Sequence, residues 1–194
     1  RLVSDWSSDV CSSDLDNPGP ADMVQSGSLT MFVIERGGRF GIRVRDTKSP
    51  YRAQFRGIEH YPVDAKWNVT ARWHAYAQAK KRVLPTVIEG VNEVYDAPGE
   101  AEFTLEGKSF KIEPVLSGGR LFFVFRDLTT GKTTYPAGRF LYADLAQNGV
   151  VRLDFNEAYN PPCAFTPYAT CPLPLPQNRL AIAVEAGEKN YHLE

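Results

Sequence analysis

The stretch DFNEAYNPPCAFTPYATCPLPLPQNRL, residues 154 to 180, limits the fold more than any other part of the chain. Pro161, Pro162, Pro167, Pro172, Pro174 and Pro176 lack the N–H that a sheet ladder needs and break helices, so neither a helix nor a central strand can run through it. Phe155, Tyr159, Phe165 and Tyr168 argue against disorder. What remains is an ordered loop or a covering laid over a sheet, and ordered loops of this length in compact domains usually carry function. The prolines restrict the unfolded chain, so polar side chains between them are held still at reduced entropic cost.

The rest of the chain reads as short strands between turn signals. LTMFVIERGGRFGIRVRD is a hairpin turning at Gly37-Gly38. In its second strand Phe40, Ile42 and Val44 alternate with Arg39, Gly41, Arg43 and Arg45, which predicts one buried face and one basic face. AEFTLEGKSFKIEPVL is a second hairpin, turning at Glu106-Gly107-Lys108. WNVTARWHAYAQAKKR is predicted as a strand to about Tyr76, followed by a loop or one helical turn. GGRFGIRVRDTKS (37–49) echoes GGRLFFVFRDLTT (118–130), either as a duplicated β-unit or as shared hairpin grammar. Leu121 to Phe125 is apolar on both faces and suits a central strand. The prediction is an all-β fold, a mainly antiparallel barrel or sandwich with few or no helices.

The opening residues stand apart. DWSSDVCSSDL resembles an in-frame translation of a sequencing-library adapter, so residues 1–15, Cys11 included, are read as an artefactual tail and residues 16–194 as one β-domain truncated at its N-terminus. With that start hidden, the compartment stays open between cytoplasm and periplasm. No apolar run approaches the roughly 20 residues of a membrane-spanning helix. A net charge of −1 gives no global attraction to nucleic acid. The arginines from Arg36 to Arg56 could grip a phosphate or carboxylate, but charges alternating on a strand more commonly form a solvated face. No cofactor motif is present.

Beside the Pro-rich stretch sit the candidate ligand-binding residues: Arg139, Asp154, Asn156, Tyr159, Asn160, Arg179, Glu188 and Lys189 supply oriented donors, acceptors and acid–base groups. The same residues could equally be a structural network. Cys163 and Cys171 admit three readings: structural thiols or a disulfide, a nucleophile beside a base, or half of a metal site completed from His60, His74 and His192. No Cys-x-x-Cys pairing supports the last, and no metal site is expected. Two functions follow. A binding module would hold a small polar or anionic ligand in a pocket formed by the Pro-rich loop. A hydrolase or transferase would use Cys163 or Asp154 with His60 or Lys189 as proton partner.

GRFLYADL, VRLDFNEAYNPPCAFTPYATCPLPLPQNRL and AGEKNY resemble the C-terminal half of a bacterial and archaeal family, domain of unknown function 1684, from about Met31 to the end of the chain. The resemblance implies a β-rich fold and no established activity, cofactor or catalytic residue. It also implies a further segment upstream of FVIERGGRFGIR in similar proteins.

Overall fold

A computed structural model describes residues 21–36 and 38–191, so the tail at 1–15, Gly37 of the first turn and His192 lie outside the described residues. The chain divides after Phe55 into two compact units.

The first unit is an antiparallel meander of β1 (Val24–Ser26), β2 (Leu29–Arg36) and β3 (Arg39–Asp46), followed by a one-turn helix α1 (Pro50–Gln54) with proline in its first turn. The register Phe32↔Arg43 and Val33↔Ile42 places the hairpin as predicted. Its faces are not as predicted: Phe40, Ile42 and Val44 are 65%, 65% and 54% exposed. The buried side chain is Phe32 on the opposite face, its ring under the Arg45 guanidinium at 4.8 Å. Alternation fixes which residues share a face, but which face finds a cover is decided elsewhere in the chain.

The second unit is built from β4 (Asn68–Pro85), β5 (Asn92–Leu105), β6 (Lys108–Ile112), β7 (Val115–Ser117), β8 (Arg120–Phe125), β9 (Arg139–Ala143) and β10 (Val150–Asp154). They form a four-stranded antiparallel sheet β10-β4-β5-β6 and a three-stranded antiparallel sheet β7-β8-β9, a sandwich with no closed barrel among the described residues. The β5–β6 turn is at Glu106-Gly107, both with positive φ, as the sequence predicts. β4 overturns the expected loop after Tyr76: it continues to Pro85, because Lys80 to Pro85 pair with Ala97 to Asn92 on β5. Tertiary pairing here overrides the helical preference of Ala and Lys.

The long β4–β5 ribbon carries a bulge between Ala75 and Lys80. Gly99 lies opposite Ala75, and a Cβ there would stand 2.5 Å from both the His74 carbonyl and the Trp73 ring. Such bulges bend a strand and sharpen its twist. On one side of the bulge Ala71, Ala101 and Phe103 enter one core; on the other Leu84 and Ala97 enter a second. β8, the middle strand of its sheet, divides likewise. Leu121, Phe123 and Phe125 face the first core, and Phe122 and Val124 the second. Each such side chain contributes about 1.5–3 kcal/mol when fully buried, so both faces of β8 must be covered. The four-stranded sheet supplies one cover. Leu84 and Ala97 beyond the bulge, with Ala169, Cys171 and Leu175 of the Pro-rich stretch, supply the other.

Candidate functional site

The Pro-rich segment starts where β10 ends. Asp154 caps the 3-10 turn Phe155–Glu157 by accepting from the Asn156 N–H at 3.1 Å, and its other oxygen accepts from Asn68 Nδ2 at 2.8 Å. The strand stops at Asp154, and the two side chains stay together across the turn, Asn156 Nδ2 donating to Asp154 Oδ1 at 2.8 Å. Asn156 turns to the main chain of Asp64, donating through Nδ2 at 3.0 Å and accepting through Oδ1 at 3.1 Å. Tyr159 bridges to Phe140 by two 2.9 Å backbone hydrogen bonds, and its ring stacks beside Tyr142 at 6.4 Å. Burial, with Tyr142 and Glu188 nearby, pushes the Tyr159 hydroxyl up to about 12.

The next polar cluster ties the segment to the C-terminal strip. The Asn160 N–H donates to Glu188 Oε2 at 2.6 Å, and Asn160 Nδ2 to the Lys189 carbonyl at 2.7 Å. His60 bridges to Glu188 in the backbone, donates from Nδ1 to the Ile58 carbonyl at 2.8 Å, and leaves Nε2 at 3.9 Å from Glu188 Oε1. Lys189 pairs with Glu59 at 3.6 Å and lies over the Tyr61 ring at 5.4 Å.

Arg139 opens β9 and is 1% exposed. One terminal nitrogen donates to Asp127 Oδ2 and to the Val184 carbonyl, both at 2.8 Å; the other donates to the carbonyls of Ala186 and, at 3.4 Å, Glu188. Asp127 is further held by the Thr129 N–H and hydroxyl. A buried ion pair survives desolvation only when such extra hydrogen bonds complete it. All four terminal N–H groups of Arg139 are thus occupied inside the protein. Arg179 is exposed and contributes its backbone, bridged in parallel to Arg126, beside a hollow of about 450 Å³ that Arg126, Pro136 and Ala181 also line.

Three residues outside the sequence-based candidates prove central. Glu113, only 4% exposed, accepts from Arg82 Nε at 2.5 Å and from the Tyr76 hydroxyl at 2.5 Å. Burial alone would raise its carboxyl, but these two donors hold it below the usual range, while burial and Glu113 push Tyr76 up to about 12. Asn178 receives the Glu113 N–H at 2.8 Å and donates to the carbonyls of Glu113 and Val124 at 2.8 and 3.0 Å, locking the far end of the Pro-rich segment onto the sheet. Asp127 is the third. Only Glu113 carries a sequence signal, a carboxylate inside the apolar frame IEPVL; Asp127 and Asn178 stand among other polar residues.

Cys163 sits half-buried in the 3-10 turn Pro162–Ala164, and Cys171 is buried. Both are free thiols. The Cys163 N–H points at Cys171 Sγ from 3.2 Å, and the Tyr135 hydroxyl donates to the Cys163 carbonyl at 2.9 Å. The partners of Cys163 are Cys171 and Tyr135; His60 and Lys189 are engaged elsewhere.

A groove of about 440 Å³ lies at the head of the segment, lined by Arg120, Tyr142, Asp144, Gln147, Arg152, Asp154 and Glu157, among others. Arg120 Nε donates to Asp144 Oδ1 at 3.1 Å, and Arg152 Nε donates to Asn68 Oδ1 at 2.9 Å. The terminal guanidinium nitrogens of both have no hydrogen-bond partner among the described residues. Asp154 is the sequence-predicted candidate that reaches this groove; Arg139, Tyr159, Asn160, Arg179, Glu188 and Lys189 do not line it.

A family model described as "Protein of unknown function (DUF1684)" matches residues 53–189, which is the second unit as far as Lys189 with three residues of the first. The match begins after the first hairpin, downstream of the Met31 expected from the sequence. A solution NMR structure of an uncharacterized protein of Haloarcula marismortui is similar at 31% identity and a TM-score of 0.60, over 73% of this chain and 80% of that one. No curated protein matches the chain.

Proposed function

The chain belongs to this family of proteins of unknown function, and from that premise we propose that it is a binding module holding a small polar or anionic molecule in the groove at the head of the Pro-rich segment. The observation that carries the reading is the pair Arg120 and Arg152. Each is anchored through Nε, which aims the guanidinium and leaves its terminal nitrogens for a ligand. Such a fork matches a carboxylate or phosphate bidentately, where a lysine would offer only a point charge. Asp144 and Asp154 already accept protein hydrogen bonds, so they orient the donors rather than compete as free bases. Tyr142, beneath Arg120 at 5.5 Å, adds an aromatic wall.

Titration with phosphate and citrate while following thermal unfolding tests the reading. A ligand that binds only the folded state raises the midpoint by mass action. The expected result is a rise at about millimolar ligand that disappears in the Arg120→Ala, Arg152→Ala double variant. No rise with either anion would sink the reading. An enzyme is the alternative, and its support is confined to the exposed side of Cys163, since the proton partners expected from the sequence lie in other contacts.

A further inference from the structure

The geometry points to Cys163 and Cys171 as a reversible dithiol: Cys163 takes up a small-molecule disulfide, and Cys171 resolves the mixed disulfide into an internal one. The pair is asymmetric. Cys163 is half-buried on the turn Pro162–Ala164, within reach of a small solute, whereas Cys171 is 3% exposed and shut off from one. The two are held together by the scaffold: the Cys163 N–H meets Cys171 Sγ at 3.2 Å. Neither arm is loose. The Cys171 carbonyl accepts from the Val87 N–H at 3.0 Å, Leu173 donates to the Pro85 carbonyl at 2.7 Å, and the Tyr135 hydroxyl pins the Cys163 carbonyl at 2.9 Å. Two thiols serving only as small hydrophobes would both be sealed in the core, and one is not.

The chemistry of each sulfur follows from its place. The S–H of Cys171, then the nearby Tyr135 hydroxyl, stabilise negative charge on Cys163 and lower its thiol to about 7, against burial. The neighbouring Cys163, with burial and the nearby Glu93, pushes Cys171 up. A thiol near ambient pH is the effective attacker, combining thiolate population with nucleophilicity. The Cys163 thiolate attacks one sulfur of R–S–S–R, the S–S bond breaks, and RS⁻ leaves with the electron pair and takes a proton to become RSH. Cys171 then loses its proton to solvent and attacks Cys163 Sγ, expelling the second RS⁻, which is protonated in turn. Two protein thiols have become one disulfide, and the small disulfide has become two thiols. Neither cysteine lines the arginine groove.

The test uses the full chain with Cys11→Ser, glutathione disulfide as the probe, and intact-mass and peptide analysis. The expected result is loss of two hydrogens, a cross-link between the Cys163 and Cys171 peptides, and full reversal by dithiothreitol. In the Cys171→Ser variant a single glutathione accumulates on Cys163; in Cys163→Ser no adduct forms on the folded protein. A folded chain that keeps both thiols under conditions that oxidise the denatured one, or an adduct that goes first to Cys171, overturns the proposal. Where Cys171→Ser does not fold, timed alkylation of the folded Cys11→Ser protein decides instead: Cys163 should react at least about 10-fold faster than Cys171, and equal rates overturn the assignment.

Discussion

Arg139 and Arg120 open the two neighbouring antiparallel strands β9 and β8, at opposite ends of the pair, and they are used in opposite ways. Arg139 is enclosed, with its four terminal N–H groups on Asp127 and three main-chain carbonyls. Arg120 is tethered at one nitrogen to an exposed aspartate and is open beyond it. Arg82 lies between the extremes, partly exposed but gripping a buried Glu113. An arginine beside a functional-looking segment is therefore informative only through the number of its donors that the protein itself occupies. By that measure Arg139 is a fastener for the Val184–Glu188 strip, and Arg120 is the group with donors to spare that the proposed binding reading calls for.

The widest gap between the two should appear in unfolding free energy. Arg139→Met leaves Asp127 charged and unpaired in the interior, and urea denaturation should show a loss of about 3–5 kcal/mol. Less than about 1 kcal/mol would erase the distinction. Gly99→Ala, which drives a methyl into the His74 carbonyl and Trp73 ring, should cost about 1–3 kcal/mol and loosen the bend that lets β4 serve both cores. Glu113→Gln probes the intermediate arginine through pH. Because Arg82 and Tyr76 hold the folded Glu113 carboxyl below its unfolded value, its contribution is complete at neutral pH and is lost as pH falls through the folded value. The wild-type urea midpoint should thus drop between about pH 5 and pH 3, and the variant should drop less over the same range. Arg120→Ala should sit at the bottom of the scale, within about 0.5 kcal/mol of wild type, while still abolishing the proposed anion binding.

The layering of the fold was legible where a segment's chemistry allowed one outcome. Leu121 to Phe125, apolar on both faces, required a cover on each side, and the Pro-rich stretch could be little other than a cover. The turn read at Glu106-Gly107-Lys108 is where the chain turns, Glu106 and Gly107 taking positive φ. Other features depend on partners far away in the chain. The length of β4 is set by β5 rather than by Ala and Lys, and the exposure of Phe40, Ile42 and Val44 depends on what meets that face. The candidate polar residues clustered around the Pro-rich segment and the C-terminal strip, but the sequence could not show which donors would be occupied. Arg120 and Arg152 were passed over because a strand arginine looks the same whether solvated or aimed. Glu113, Asp127 and Asn178 were missed for the converse reason: their partners Arg82, Arg139 and the Val124 carbonyl are distant in sequence.

The second core has a consequence for synthesis. Phe122, Val124 and Phe140 leave the ribosome before Ala169, Cys171 and Leu175, which close over them, and β10 reaches β4 only after some eighty intervening residues have been translated. Throughout that interval the second face of β8 has only Leu84, Ala97 and Val115 of the earlier chain against it and stays partly uncovered. Ribosome release halted short of Leu175 should therefore yield an insoluble product, so the lid of this protein doubles as the last safeguard on its manufacture.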